Sequence, residues 1–166
     1  RTRSRATPST SRHRPYTRRV PPPTPLSNAI QHYLREIYKL GASGERVSTT
    51  ALAREMHVSP ASTSAMVKKL AALSLVEHAP YRGVALTKDG ERVALEVIRH
   101  HRLLELYLAE TLGIAVDEVH DEAERLEHAV SEQLIERIDE MLGRPAVDPH
   151  GDPIPNAEGL VKPQEA

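Results

Sequence analysis

Apolar residues recur every three or four positions along most of this chain, and this is the period of an amphipathic helix. The spacing predicts six helices, over about 29–40, 49–56, 60–73, 88–111, 117–130 and 132–142. Residues that favour helix N-caps precede five of them, namely Asn28, Ser48, Ser59, Thr87 and Ser131. Gly41, Gly113 and Gly143 stand where helices are expected to end. The chain is therefore predicted to be mainly α-helical.

The second and third predicted helices are spaced as a helix-turn-helix. Only two residues separate the second helix from Ser59, and Pro60 suits the first position of the third. Two short strands and a connecting turn are expected next, over 75–79, 84–86 and 80–83. A helix-turn-helix followed directly by a hairpin predicts a winged helix. A generic helical hairpin, with a solvated face and a purely structural pair of strands, is the alternative.

The third helix has an outer face that suits DNA. Its inner face is expected to hold Met66, Val67, Leu70 and Leu73. The outer face is small near its start and basic further along, so it can approach base edges and place lysines near flanking phosphates. The turn between the strands adds an aromatic and a basic side chain. The candidate DNA-binding residues are Ser59, Pro60, Ala61, Ser62, Ser64, Lys68, Lys69, Tyr81 and Arg82.

The fifth predicted helix carries a row of possible metal ligands beside its apolar stripe. At about 100° per residue, the apolar stripe holds Val119, Ala123, Leu126 and Val130. The neighbouring row holds His120, Glu124, Glu127 and His128. Two imidazoles and two carboxylates suit a divalent metal with some preference for oxygen. The alternative is an acidic amphipathic helix whose charges simply meet water.

Three more residues could join this row. His101 lies on a mostly apolar stripe of the fourth helix, with Glu105 one turn later. A single histidine in that setting is more often a satisfied core residue than a ligand, but here it is expected beside a second helix of candidates. His32 lies opposite the core face of the first helix, where an exposed surface histidine is the alternative.

The amino-acid composition excludes several kinds of functional site. The 166 residues contain no Cys, Phe or Trp, which excludes disulfides, zinc–thiolate sites and cysteine nucleophiles and favours a reducing, cytoplasmic location. No apolar run approaches the ~20 residues of a membrane span. Residues 1–25 hold seven Arg and no acidic residue, residues 26–90 hold eight basic and five acidic residues, and residues 91–166 hold seven basic and 18 acidic residues. The basic N-terminal part suits binding to a polyanion, and the acidic C-terminal part suits binding of cations. A basic tail on an ordinary domain would give the same charge distribution.

Over roughly residues 28–155 the chain resembles the diphtheria-toxin-repressor family of metal-dependent transcriptional regulators, and within it the manganese-regulator branch. The resemblance rests on motifs in the same order and spacing, at 33–38, Ser59-Pro60, 81–87, 101–105, 119–124 with Glu127-His128, and 151–155. It implies a homodimer in which metal acts as corepressor and the loaded protein binds a palindromic operator upstream of metal-uptake genes. It implies no enzymatic activity, no membrane and no small organic ligand.

Composition and helix pattern together with the resemblance predict the domain division, and the resemblance implies the metal sites. The expected parts are a disordered basic arm (1–25), a winged-helix DNA-binding domain (26–90), a helical metal-binding and dimerisation domain (91–145) and a Pro-rich linker or tail (146–166). The implied primary metal site comprises His32, Glu124, Glu127 and His128. The implied ancillary site comprises His101, Glu105 and His120, and in the manganese branch the equivalent of His101 also joins the primary cluster.

Several residues depart from the family pattern. Iron-type members have a cysteine where this chain has Glu124, and the carboxylate favours a harder metal, so Mn²⁺ is expected first and Fe²⁺ second. His32 stands where the family usually has Met or Asp. Arg35 stands where the manganese branch has a carboxylate, which argues against a closely coupled two-metal cluster. Longer members continue into a small β-barrel, so this chain is a truncated version or completes its ancillary site with water.

The predicted function is a metal-activated repressor. Without metal the carboxylates would repel one another, whereas a metal ion would take ligands from both domains and set the two recognition helices about 34 Å apart. A ~100-fold preference for the competent state would shift its population by about 2.7 kcal/mol. The alternative is a winged-helix regulator with a structural or vestigial metal site. A metallohydrolase is disfavoured because the chain lacks His-Glu-x-x-His spacing and a separate general base or nucleophile.

Overall fold

A computed structural model describes residues 26–161, and within them lie six helices and one two-stranded sheet. The helices are α1 (Asn28–Leu40), α2 (Thr49–Glu55), α3 (Pro60–Ala72), α4 (Lys88–Leu112), α5 (Val119–Leu126) and α6 (Glu132–Met141). The strands are β1 (Val76–Ala79) and β2 (Gly83–Leu86). The mainly helical fold with a winged helix followed by a helical domain is confirmed. The predicted basic arm at 1–25 lies outside the described residues.

The winged-helix domain folds as its caps and apolar spacing predict. Ser48 Oγ accepts from the backbone nitrogen of Ala51 at 3.0 Å, and Ser59 Oγ accepts from that of Ser62 at 3.1 Å, so both helices of the pair begin at their predicted caps. The two strands are antiparallel, with Val76 opposite Leu86. The fully buried side chains at the centre of this domain are Leu34, Leu52, Thr63, Val67, Leu70 and Val84.

Helix α4 is the longest element and connects the two domains. Thr87 Oγ1 accepts from the nitrogen of Gly90 at 3.1 Å to cap its start, and Gly113 ends it with a left-handed φ of 69°. A side chain at Gly90 would meet the carbonyl oxygen of Leu75 at 1.9 Å, so only glycine lets α4 lie against the wing. The buried core of the helical domain includes Leu103, Leu104, Leu108, Val119, Ala123 and Ile135.

The structure corrects four details of the prediction. Ser27 rather than Asn28 occupies the N-cap of α1, and its side chain makes no capping hydrogen bond. Leu73 lies past the end of α3 and is exposed, whereas Thr63 takes an inward position. Helix α5 covers only Val119–Leu126 of the predicted 117–130, and Leu126 on its apolar stripe is exposed.

Helix α5 gives way to a turn that leads into the cap of α6. Glu127, the C-cap of α5, keeps helical backbone angles, and the backbone is extended at Ser131, the N-cap of α6. The nitrogens of Ala129 and Val130 both bond to the carbonyl of Leu126, which closes a turn in place of a further helical turn. Glu127 and His128 therefore lie in a turn just beyond the helix.

Residues 146–156 fold back onto the helical domain instead of leading away from it. The side chain of Ile154 is buried in the core, Pro155 is fully buried, and Asp148 is also buried. Val147 and Pro153 form an isolated bridge, and Arg102 of α4 donates to the carbonyl of Pro153. Residues of this segment therefore pack against the helical domain.

Within the part of the chain that the structure describes, none of the helices combines the length and apolar character needed to cross a membrane.

Candidate metal centre and nucleic-acid interface

Four predicted metal ligands from both domains lie together, and we call them the cross-domain cluster: His32 of α1, Glu124 of α5, and Glu127 and His128 of the following turn. Nε2 of His32 lies 3.4 Å from Oε1 of Glu127 and 3.9 Å from Oε1 of Glu124. Nε2 of His128 lies 3.1 Å from the same oxygen of Glu127. His32, Glu127 and His128 each offer a ligand atom within 4.8 Å of the others, so Glu124 is the outermost member.

The two imidazoles of this cluster direct their Nε2 atoms towards Glu127. Both nitrogens are buried and lie within 3.4 Å of Glu127 Oε1, yet neither makes a hydrogen bond of acceptable geometry. Nδ1 of His128 donates to the amide oxygen of Gln31 at 2.5 Å, an arrangement that leaves Nε2 as an electron-pair donor. Buried imidazole nitrogens without partners are unusual in a folded protein, and together with two carboxylates they fit a divalent metal such as Mn²⁺ or Fe²⁺. Gln31 was not singled out from the sequence.

Arg35 places a permanent positive charge inside the cluster. Its Nη1 donates to both oxygens of Glu127, at 3.0 and 3.2 Å, and its Nη2 donates to Glu124 at 2.8 Å. Its Nε donates to the neighbouring Glu36 at 2.9 Å. The Arg35 side chain is almost fully buried, so these bonds join α1 to α5 and to the turn after it. The carboxylates are therefore partly neutralised by the chain itself.

The charges in the cluster shift its pKa values strongly. Burial alone would raise the pKa of Glu127, but the hydrogen bond from His101, the imidazole of His32 and the charge of Arg35 together lower it to about 2. The pKa of Glu124 is also lowered, since Arg35 outweighs the effect of burial. Burial lowers the pKa of His128, which keeps this imidazole neutral and able to bind a metal.

The other three predicted ligands, His101, Glu105 and His120, also meet, and we call them the helical-domain cluster. Oε1 of Glu105 lies 3.0 Å from Nε2 of His101 and 3.0 Å from Nδ1 of His120. Burial opposes protonation of His101, but its contacts with Glu105 and Glu127 outweigh burial and raise its pKa. Nδ1 of His101 lies 2.6 Å from Oε2 of Glu127, so the two clusters share this carboxylate.

His150 approaches the helical-domain cluster and was missed by the sequence reasoning. Its Nε2 lies 3.8 Å from Oε1 of Glu105. Oδ1 of Asp148 accepts from the backbone nitrogens of His150 and Asp152, at 2.8 and 2.9 Å, and this fixes the loop that carries the imidazole. The available signal was a polar Asp-Pro-His-Gly-Asp run at 148–152, which proline content led us to interpret as a linker.

The predicted DNA-binding side chains belong to α3, its N-cap and the turn between the two strands. All nine are exposed: Ser59, Pro60, Ala61, Ser62, Ser64, Lys68, Lys69, Tyr81 and Arg82. Tyr81 stands at the wing tip with a φ of 63°, a conformation that only a tight turn imposes on a non-glycine residue. Arg46 braces the hairpin by donating to the carboxylate of Glu77 on β1 at 2.9 Å. Their placement leaves these side chains open to a partner.

Two models of known protein families match the chain, one over its N-terminal part and one over its C-terminal part. Residues 25–84 match the iron dependent repressor N-terminal DNA binding domain, and residues 87–156 match the iron dependent repressor metal binding and dimerisation domain. The chain belongs to the iron-dependent repressor family. The resemblance inferred from the motifs is thus confirmed, and this family consists of transcriptional repressors rather than enzymes.

Individual proteins similar to this chain are also named as transcriptional regulators or repressors. The chain is 34% identical over 114 residues to an uncharacterized HTH-type transcriptional regulator of Methanocaldococcus jannaschii, covering 68% of this chain and 91% of that protein. It is 34% identical over 140 residues to the diphtheria toxin repressor of Corynebacterium efficiens, covering 84% of this chain and 61% of that protein. A solved manganese-dependent transcriptional repressor in complex with manganese is 49% identical with a TM-score of 0.72, covering 80% of this chain and 61% of that one. The chain thus spans less than two thirds of these last two proteins.

Proposed function

We propose that this protein is a transcriptional repressor that binds a palindromic DNA operator as a homodimer when loaded with a divalent metal, Mn²⁺ before Fe²⁺. One observation carries the proposal: α1 of the DNA-binding domain and the α5 region of the helical domain converge on one cluster, in which two buried imidazole nitrogens face a carboxylate without a hydrogen bond. A ligand set split between two domains couples their relative position to occupancy of the site. That coupling is what a metal-responsive regulator requires.

His32, Glu124, Glu127 and His128 would hold the ion in the cross-domain cluster. A bound divalent cation supplies charge neutralisation and a link between the domains. His32 contributes from α1, so its helix is held at a fixed distance from α5. Gln31 keeps His128 in the tautomer whose Nε2 faces the cluster. Glu127 has its pKa at about 2 and is therefore ionised at any physiological pH.

The preference for Mn²⁺ over Fe²⁺ rests on the donor atoms. Glu124 supplies oxygen where a thiolate would favour softer metals, and the cluster has two carboxylates beside its two imidazoles. The relatives support both ions, because one is named for manganese and the family for iron.

The helical-domain cluster is proposed as a second, ancillary site held by His101, Glu105 and His120. We add His150 to this set, because its imidazole already lies 3.8 Å from Glu105 on a loop fixed by Asp148. The chain would then complete the ancillary site with its own residue. Water, one of the two alternatives left open by the sequence, would not be needed.

On the DNA side, the exposed residues of α3 would enter the major groove while Tyr81 and Arg82 contact the backbone or minor groove. Large apolar side chains remain exposed in the helical domain, among them Leu112, Leu134 and Met141, and a dimer interface would cover such surface. A role at chromosomal DNA also fits the cytoplasmic location inferred from the sequence.

The test is DNA selection followed by a metal-dependence measurement. Duplexes would be selected from a random-sequence library with Mn²⁺ present, and the affinity of the selected duplex would then be measured by fluorescence anisotropy with Mn²⁺, with Fe²⁺ under anaerobic conditions, and with chelator. We expect a dimer footprint with two-fold symmetry and at least ~100-fold weaker binding in chelator. Equal binding in chelator would overturn the metal switch.

Arg35 favours one alternative, a winged-helix regulator that binds DNA without metal. Its guanidinium already bridges α1 to Glu124 and Glu127, so the domains are joined before any ion binds. The chelator arm of the same experiment separates the two functions.

A further inference from the structure

Helix α4 carries a third group of possible metal ligands, which we call the α4–α6 cluster: Glu96 and His100 of α4 and Glu132 of α6. One ligand atom from each lies within 4.8 Å of the others. Glu96 and His100 are four residues apart on one helix, so their side chains lie on the same face. Ser131 caps α6 through its Oγ, which accepts from Leu134 at 3.3 Å, and this fixes Glu132 at the first helical position.

His100 is the observation that points to a ligand. Its side chain is only 9% exposed, and its Nε2 is buried without a hydrogen-bond partner. Oε1 of Glu132 approaches this nitrogen as an ion pair, yet the pair lacks the geometry of a hydrogen bond. A buried imidazole nitrogen in a folded protein ordinarily has a partner. This one faces the carboxylate of Glu132, and a ligand atom of Glu96 lies within 4.8 Å of the pair.

The cluster opens into a surface cavity of about 240 Å³ that has room for an ion and its water ligands. The far wall of the cavity is the turn at 156–159, which contributes Asn156 and Glu158. Oδ1 of Asn156 accepts from the backbone nitrogens of Glu158 and Leu160, at 3.1 and 2.7 Å, and so holds the turn in place. Glu158 therefore adds a third acidic residue to the cavity lining, on a turn whose backbone is held by Asn156.

The charges around the cavity permit a cation. Arg99 lines it, but its Nη2 is held by Asp139 at 2.8 Å and by Glu136 at 3.2 Å, so its charge is compensated. Arg92 is the other basic residue in the wall, against the three carboxylate residues Glu96, Glu132 and Glu158 that also line it. The balance at the cavity is negative.

We propose that the α4–α6 cluster binds a divalent transition-metal ion through His100, Glu96 and Glu132. One imidazole with carboxylate oxygens suits Mn²⁺, Fe²⁺ or Zn²⁺. The ligands come from α4 and α6 alone, so this ion ties two helices of the helical domain together and takes nothing from the DNA-binding domain. It is a stabilising ion, separate from the coupling of the two domains.

The experiment counts bound Mn²⁺ per chain by electron paramagnetic resonance of the free ion. The Glu105→Gln/Glu127→Gln double variant disables the other two clusters, and we expect it to retain one Mn²⁺ per chain. Adding Glu132→Gln should abolish that last site. Circular dichroism checks the fold, and a folded double variant that binds no Mn²⁺ at millimolar concentration would overturn the proposal, as would a triple variant that still binds.

A second measurement uses the otherwise unaltered chain and does not depend on the double variant folding. Glu132→Gln should lose one equivalent of bound Mn²⁺ and the part of the Mn²⁺-induced rise in Tm that this site supplies. Glu110→Gln, which removes an equal charge from an exposed position near the end of α4, should lose neither. A lowered Tm with an unchanged Mn²⁺ count would show that Glu132 and His100 form only an ion pair. DNA binding is not read in either arm, so the outcome is independent of the repressor proposal.

Discussion

The cross-domain cluster and the helical-domain cluster lie side by side and share Glu127, yet they differ in how they are held without metal. The cross-domain cluster contains a buried guanidinium, because Arg35 bonds to both Glu127 and Glu124. The helical-domain cluster has no such internal cation among the described residues. The ion pairs of its carboxylate, Glu105, are with the imidazoles of His101, His120 and, at 3.8 Å, His150.

Because of this difference, we expect the two sites to differ in metal affinity. An incoming ion at the cross-domain cluster competes with a charge that is already there, so its affinity is lowered and the domains stay joined in its absence. At the helical-domain cluster an ion competes mainly with protons on imidazoles. We therefore expect the helical-domain site to fill first and the cross-domain site to set the metal concentration at which the protein responds.

The largest effect should come from Glu127→Ala, which removes the carboxylate common to both clusters. We expect Mn²⁺ affinity at the cross-domain cluster to fall by at least ~100-fold. Stability of the metal-free protein should fall by about 3–5 kcal/mol, because Arg35 is left buried without its main partner. Free-ion titration and urea unfolding measure the two effects. Glu122→Ala, an exposed acid on α5, is the control, and wild-type affinity in Glu127→Ala would contradict the assignment.

Arg35→Gln tests two effects of the buried guanidinium: it stabilises the metal-free protein and it lowers metal affinity at the cross-domain cluster. Its loss exposes Glu124 and Glu127 to mutual repulsion, so metal-free stability should fall by about 3 kcal/mol, while Mn²⁺ affinity should rise by about tenfold. Urea unfolding in chelator and competition with a fluorescent metal indicator would test this. Arg46→Gln breaks an exposed pair with Glu77 and should change stability by less than about 1 kcal/mol. Unchanged or weaker Mn²⁺ binding in Arg35→Gln would refute the competition between guanidinium and metal.

The pH dependence of the metal-free protein follows from Glu127. Its pKa is lowered from 4.5 to about 2 in the folded chain, so its contribution is complete above pH 4.5 and is lost as the pH falls towards 2. The side chain is fully buried, and the contribution is about 3 kcal/mol at roughly 1.4 kcal/mol per pKa unit. Urea unfolding in chelator between pH 5 and pH 3 is expected to show a steep decline that Glu127→Gln flattens. Parallel declines in both proteins would argue against it.

The smallest effect is expected for His150→Ala. The imidazole lies at the edge of the helical-domain cluster, so its loss should weaken Mn²⁺ binding there by about tenfold and leave the cross-domain site unchanged. Isothermal titration resolves the two sites if their affinities differ as proposed. His78→Ala, on the exposed face of β1, serves as the matched control. If His150→Ala binds like the wild type, the ancillary site is completed by water.

The sequence predicted most elements because local chemistry determines them. Ser48, Ser59 and Thr87 each cap a helix through their own side chain, and Gly113 ends α4 in the left-handed conformation. The family motifs also identified every metal ligand candidate that the structure brings together in the first two clusters. Helical periodicity predicted the end of α5 less accurately. The apolar spacing continues to Val130, but a turn replaces the helix after Leu126.

The contacts that the sequence missed are all long-range. Arg35 was recognised only as a departure from a family pattern, and nothing local shows that it reaches residues about 90 positions away. Gln31 looks like an ordinary surface residue of α1 until His128 is placed against it. His150 was assigned to a linker because Pro and Gly dominate its surroundings, although the buried side chain of Asp148 folds the loop back.

Helix α4 also acts as a lever between the wing and the dimerisation domain. At 1.5 Å per residue its 25 residues extend for about 37 Å, with the wing seated at one end through the close contact at Gly90. A tilt of about 5° at the middle, where His101 and Glu105 lie, displaces either end by about 1.5 Å relative to that point. In a dimer both levers move, so the displacement adds at the two DNA-facing ends. Sub-ångström adjustments around an ion can thus decide whether two recognition helices fit the same stretch of DNA.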